Sequence, residues 1–157
     1  MVASKKVKIL VANGVNLDLL GQREPEIYGR EGLKTLEKRM KQTLESLKTI
    51  PPYKNVNLTF FQTNSEIEFL EEISKKWDGA LINPGAWTHT SLALADRLAA
   101  LSLPFVEVHI SNLSKRESFR KNSYTAPHAV GVVYGFGLDS YVAALAGLLN
   151  ALESSSN

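Results

Sequence analysis

Apolar and polar positions along this chain switch repeatedly between a strand period and a helix period. Residues 7–12 are a near-continuous apolar, β-branched run that stops at Asn13-Gly14, the pattern of a strand buried on both faces. Leu33, Leu36, Met40, Leu44 and Leu47 then recur at three- and four-residue spacing, which predicts an amphipathic helix over 33–47. Ile50-Pro51-Pro52 ends it, because proline has no N–H to continue a helix. A second strand is expected at 56–61, and Ile67, Leu70 and Ile73 carry a helix closed by Asp78-Gly79. A third strand at 80–82 leads to a helix at about 91–101, a fourth spans 104–109 and a fifth 130–134, and the last helix covers 139–152. A short tail from about residue 153, ending in Ser154-Ser155-Ser156-Asn157, is expected to fray.

Strands alternating with helices predict a parallel sheet with helices on both faces. Five strands in 157 residues point to one catalytic domain over 1–157, a flavodoxin-like three-layer sandwich of strand order 2-1-3-4-5. Ligands of such sheets bind outside the carboxyl ends of the strands, at the switch point between the first and third. Two segments, 21–32 and 112–127, have no apolar period and follow strand ends, so they are expected to form lids or binding loops.

Composition narrows the partners. A formal net charge of +2, with basic and acidic residues interleaved, gives no nucleic-acid footprint. The apolar run after Met1 is too short for a signal peptide or membrane span. The chain has no cysteine, which removes disulfides, thiolate metal sites and a cysteine nucleophile and fits a cytoplasmic compartment.

The junction Ala80-Leu81-Ile82-Asn83-Pro84-Gly85-Ala86-Trp87-Thr88-His89-Thr90-Ser91 carries the densest chemistry. Asn83 ends a strand, and Thr88 to Ser91 read as the entry to a helix whose N-terminus can place His89 before an anion. His89 can equally bond only its own turn; Asn83 and His109, at neighbouring strand ends, raise the weight of a shared site. Metal binding by the two histidines lacks a third ligand except Glu107, which is read as alternating with Val106 and Val108 on the face away from them. Ser111, with the backbone N–H groups of Ile110 and Ser111, suits a carboxylate, while Ser111 or Asn112 capping a turn is the alternative. Asn16 can cap a turn or donate to a ligand. In the first lid Arg23 and Tyr28 lie five residues apart. A cation near a phenol of ordinary pKa about 10 favours tyrosinate, and a tyrosinate can remove a proton beside a carbonyl. Arg116 and Arg120, read as one helical turn apart, can clamp a carboxylate or hold the lid, or merely face solvent. Neither a dinucleotide fingerprint nor a Gly-x-Ser-x-Gly elbow is present.

Five ordered blocks resemble type II 3-dehydroquinate dehydratases. They are residues 13–29 (Asn13-Gly14-Val15-Asn16 through Arg23 to Tyr28-Gly29), 61–66, 82–91, 107–112 and the Arg116-Glu117-x-Phe119-Arg120-x-x-Ser123-Tyr124 stretch. The resemblance runs from Val7 to about Leu149. It implies a flavodoxin-like subunit in a dodecamer of four trimers that eliminates water anti from 3-dehydroquinate, giving 3-dehydroshikimate, without metal or cofactor. It implies Tyr28 as the base for the C2 proton, Arg23 favouring its ionised form, and Asn16 stabilising the enolate through a water. It implies His109 as the acid for the C1 hydroxyl, oriented by Glu107. Asn83, His89, Ile110, Ser111 and Arg120 would hold the substrate, Arg116 would lie near the lid, and Asp96 would reach the neighbouring subunit's site. Departures from the family pattern are Val15 for Pro, Asp18 for Asn, Ser65 and Ile67 for His and Gly, and Ala95 for the Arg before Asp96. The alternative is a flavodoxin-like binding or signalling module without catalysis. That would require a flavin phosphate loop or an acidic pocket, and the first strand ends in Asn13-Gly14 instead.

Overall fold

A computed structural model describes residues 6–22 and 24–155. Five strands, β1 (Val7–Asn13), β2 (Val56–Gln62), β3 (Gly79–Asn83), β4 (Phe105–His109) and β5 (Gly131–Tyr134), form one sheet of order β2-β1-β3-β4-β5. Every pairing is parallel, as the strand–helix alternation predicts. The helices are a single turn α1 (Pro25–Tyr28), then α2 (Leu33–Leu47), α3 (Glu66–Ile73), α4 (Leu92–Ala100) and α5 (Asp139–Ser154).

Strand parity divides the core in two. Ile9, Val11, Leu81, Val106 and Val108 point to one face, where Leu36 and Met40 of α2 and Tyr141, Leu145 and Leu148 of α5 cover them. Leu10, Ala12, Ala80, Ile82 and Phe105 point to the other, under Phe69 and Ile73 of α3 and Leu94 and Leu98 of α4. Successive side chains on a strand face opposite ways, so a strand buried on both sides needs the unbroken apolar run seen in β1.

Several boundaries differ from expectation, for local reasons. β1, β2 and β3 run on to Asn13, Gln62 and Asn83, because Asn13 pairs in register with both Gln62 and Asn83. α3 stops at Ile73 and a turn carries the chain to Asp78. The last helix continues to Ser154, inside the expected tail, where Ser154 and Ser155 donate to the carbonyls of Asn150 and Ala151. Ser156 and Asn157 lie outside the described residues. Segment 21–32 contains α1, with Pro25 at its first turn, and segment 112–127 holds the short 3-10 turns Leu113–Lys115 and Ser118–Arg120. Among the described residues, no helix is long and apolar enough to cross a membrane.

Candidate active site

The carboxyl ends of β1 and β3 are pressed together at the switch point. Gly14 donates its N–H to the Asn83 carbonyl at 2.8 Å, and Gly85, at φ 62, turns the chain after Pro84. Side chains from these ends, from the end of β4 and from both long loops enclose a cavity of about 160 Å³. Asn16, Tyr28, Asn83, His89, His109, Ile110, Ser111, Arg116 and Arg120 all line it, with Leu17, Leu20 and Leu113 supplying apolar wall. Of the described residues singled out in the sequence, two lie elsewhere. Glu107 is fully buried behind the cavity. Asp96 sits on the exposed side of α4, whose inner side is Leu94, Ala95 and Leu98. Arg23 lies outside the described residues.

Two corrections concern the histidines. Glu107 does not face away from His109: residues two apart on a strand share a face, and Glu107 Oε1 lies 2.6 Å from His109 Nε2. Val106 and Val108 are the residues that point the other way, into the α2–α5 side of the core. His89 does not open an α-helix. It ends a 3-10 turn, Gly85–His89, and the α4 terminus is capped by Ser91, whose Oγ accepts from the Leu94 N–H at 2.9 Å and donates to the Glu66 carboxylate.

His89 Nδ1 lies 2.6 Å from the Asn122 carbonyl, and a carbonyl only accepts, so Nδ1 carries the hydrogen and Nε2 is left as an acceptor. Burial lowers the His89 pKa below the ordinary imidazole value; the Asn122 bond opposes this, and the neighbouring His109 and Arg120 add to it. The two imidazoles are stacked with centroids 6.4 Å apart. Burial works against a charge on Glu107, but hydrogen bonds from His109, Thr125 and Thr88, with the His109 charge, hold its carboxyl below the usual range. With Nε2 of His109 committed to Glu107, Nδ1 is the ring nitrogen left for the cavity.

Tyr28 meets a cation, and it comes from the second long loop. Arg116 Nη1 donates to the Tyr28 hydroxyl at 2.9 Å and to Ser111 Oγ at 3.3 Å. Burial opposes the Arg116 charge, yet the bonds to Tyr28 and Glu117 keep the guanidinium above its ordinary range. Arg116 and Arg120 are not on one helix, since the chain is extended at Arg116 between two 3-10 turns, but both reach Glu117 at 3.2 Å. Asn112, not Ser111, caps the turn after β4, accepting from the Ser114 N–H.

Asn16 and Asn83 are held by partners that sequence patterns do not single out. Asn16 adopts a left-handed φ of 65°, and its N–H donates to Asn64 Oδ1 at 2.8 Å. Asn64 in turn donates to Asp18, one of the departures from the family pattern. On the other side of the sheet, Tyr141 of α5 donates to Asn13 Oδ1 at 2.6 Å and accepts from Asn83 Nδ2 at 2.8 Å. Tyr141 reads as a core position of an amphipathic helix; its hydroxyl reach is invisible to periodicity. Among the described residues, no group of three or more His, Cys, Asp or Glu is placed to hold a metal ion.

A family model for class II dehydroquinase matches residues 7–149. The chain belongs to this family. It is 47% identical over 154 residues to the 3-dehydroquinate dehydratase of Carboxydothermus hydrogenoformans, with 96% of each chain covered. It is 45% identical over 150 residues to the enzyme of the same name from Geotalea daltonii, covering 94% of this chain and 99% of that one. The crystal structure of a type II dehydroquinase from Butyrivibrio crossotus superposes with a TM-score of 0.82 at 38% identity, covering 94% of this chain and 98% of the other. Family membership agrees with the five-stranded fold and with a cavity at the first-to-third strand switch point.

Proposed function

We propose that this chain dehydrates 3-dehydroquinate to 3-dehydroshikimate by an anti elimination through an enolate. Tyr28, as tyrosinate, takes the C2 proton next to the ring carbonyl, and the electron pair moves onto that carbonyl as an enolate. Asn16 stabilises the enolate oxygen through a bound water. The enolate collapses, the C1–O bond breaks, and His109 delivers a proton from Nδ1 so that the hydroxyl leaves as water. One proton has then moved to Tyr28 and one has left His109, and solvent restores both.

The observation that carries this reading is that the Tyr28 phenol and the His109 imidazole line one cavity, each beside a group of opposite charge type. Arg116 stands at the phenol and Glu107 at the imidazole. A phenolate and an imidazolium are the two charged forms that the reaction consumes. Asn83, His89, Ile110, Ser111 and Arg120 bind the substrate's hydroxyls and carboxylate. The cationic surroundings of Arg116 and Arg120 suit an anionic substrate. Arg23 closes with the first lid. Asp96, outward on α4, reaches the site of a neighbouring subunit in a dodecamer of four trimers, and the reaction runs in the cytoplasm without a cofactor. The cysteine-free composition fits a reducing compartment.

The test is the ultraviolet absorbance of the conjugated enone formed from 3-dehydroquinate. Wild-type protein is expected to raise it, and Tyr28→Phe to lose turnover while still binding substrate. A wild-type chain that forms no enone, or a Tyr28→Phe chain that still turns over, defeats the reading. Native mass measurement on the same samples tests the dodecamer.

A further inference from the structure

Glu107 is fully buried, and it is surrounded by hydroxyls as well as by His109. Thr88 Oγ1 donates to Glu107 Oε1 at 2.7 Å, and Thr125 Oγ1 donates to Oε2 at 2.6 Å. Ser123 Oγ lies 3.0 Å and 3.2 Å from the two oxygens. The Ser123 oxygen already accepts the backbone N–H groups of Thr125 at 3.2 Å and Ala126 at 2.9 Å. Thr88 Oγ1 also lies 2.7 Å from both Ser123 Oγ and Thr125 Oγ1, so the three hydroxyls form one hydrogen-bonded cluster on the carboxylate. A carboxylate offers about four acceptor positions, and here three hydroxyls and the His109 Nε2 lie within hydrogen-bond distance of them. Rotation of the Glu107 carboxylate would break contacts to these hydroxyls and to His109.

The same segment is sewn to the substrate-facing loop. Tyr124 donates its N–H to the Thr88 carbonyl at 2.8 Å, and the Asn122 carbonyl holds His89 Nδ1. Residues 122–125 thus run between the loop that carries His89 and the carboxylate that holds His109.

We infer that Ser123 and Thr125, together with Thr88, are positioning residues for the acid step: their hydroxyls lock the Glu107 carboxylate so that its hydrogen bond fixes the His109 ring with Nδ1 toward the cavity. The inference rests on the dehydratase reading and deepens it, since it explains how a fully buried carboxylate keeps one orientation. None of the three residues lines the cavity that holds the reacting groups, so all three act through Glu107.

The test uses the full chain with Thr125→Val, Thr125→Ser and Ser123→Ala, assayed with 3-dehydroquinate for kcat and KM separately, and each repeated in a Glu107→Gln background. Loss of a hydrogen bond to a charged group is expected to lower kcat of Thr125→Val roughly 10- to 100-fold, with KM within about threefold of wild type. Thr125→Ser, which restores the hydroxyl, is expected to recover kcat to within about threefold, and the Thr125→Val effect is expected to vanish when Glu107 is already Gln. Ser123→Ala carries the same expectation and serves where Thr125→Val does not fold. An active wild type whose variants keep kcat overturns this inference alone. So does a Thr125→Ser chain as slow as Thr125→Val, or an undiminished loss in the Glu107→Gln background. A wild type with no dehydratase activity overturns the underlying reading and this one with it.

Discussion

Arg116 and Tyr28 are 88 positions apart in the chain, yet the Arg116 guanidinium donates to the Tyr28 hydroxyl at 2.9 Å and stands 5.4 Å from the centre of its ring. The contact joins the two segments that lack an apolar period, so the phenol and its cation come from different loops. If the phenolate does the proton abstraction, the charge beside it contributes to the step itself. Arg116→Gln keeps a polar side chain and removes the charge. It is expected to lower kcat roughly 10- to 100-fold with a smaller change in KM. Steady-state kinetics checks this, and an unchanged kcat would leave Arg116 with a role in loop packing only.

Tyr141 ties the two strand-end asparagines together from beneath the cavity floor. Its hydroxyl is fully buried, and burial raises its pKa well above the ordinary phenol value, so it remains a protonated donor to Asn13. Tyr141→Phe leaves the ring packing intact but strands a buried Asn13 oxygen and an Asn83 N–H. A denaturant melt is expected to register a loss of about 1–3 kcal/mol. KM is expected to rise as well, because Asn83 loses the contact that orients its amide. A variant with unaltered stability and unaltered KM would mean that the asparagines hold their places without it.

These cases mark where sequence reading reaches and where it stops. The strands, the four long helices and the strand order follow from hydrophobic periods and from the rule that parallel strands need crossovers. Both are local or topological properties. Convergence of Asn83, His89 and His109 was legible for the same reason, since parallel strands deliver their carboxyl ends to one edge. The Glu107–His109 pairing was legible too, because a spacing of two puts both on one face; the reading of Glu107 against its valine neighbours had the parity inverted. The partners of these residues were not legible. Arg116, Ser123 and Thr125 lie in a segment without a period, and Tyr141 sits in one whose period explains it fully as core. Hydrogen bonds between side chains distant in sequence leave no repeat to find.

His89 makes a pH-dependent prediction whose direction follows from its surroundings. Burial, aided by His109 and Arg120, lowers its pKa, and the Asn122 carbonyl takes the Nδ1 hydrogen. At neutral pH the ring is neutral, and on the proposed reading Nε2 accepts a substrate hydroxyl. As pH falls below the ordinary imidazole range, Nε2 gains a proton and the acceptor is lost, so KM of the wild type is expected to rise on the acid side. His89→Ala is expected to raise KM at neutral pH roughly tenfold and to remove that acid-side rise. KM measured against pH for both proteins decides it; the same acid-side rise in His89→Ala would assign the titration to another group.

Gly14 tests whether the cavity depends on the tight junction between β1 and β3. A Cβ at this position would lie 2.6 Å from the Pro84 carbonyl oxygen, 2.8 Å from its carbon and 2.9 Å from Trp87 Cε3. The first two are backbone, and Trp87 is held edge-on against Phe69 at 5.4 Å between ring centroids, so none of the three gives way cheaply. Gly14→Ala must therefore push the two strand ends apart. Overpacking of this kind costs about 1–3 kcal/mol. The separation also moves Asn16 away from Asn83, which line the cavity from the two sides of the junction. A lowered melting temperature together with a raised KM is the expected result. A stable variant with wild-type KM would show that the junction can relax without disturbing the substrate site, and that the close approach at Gly14 serves the fold alone.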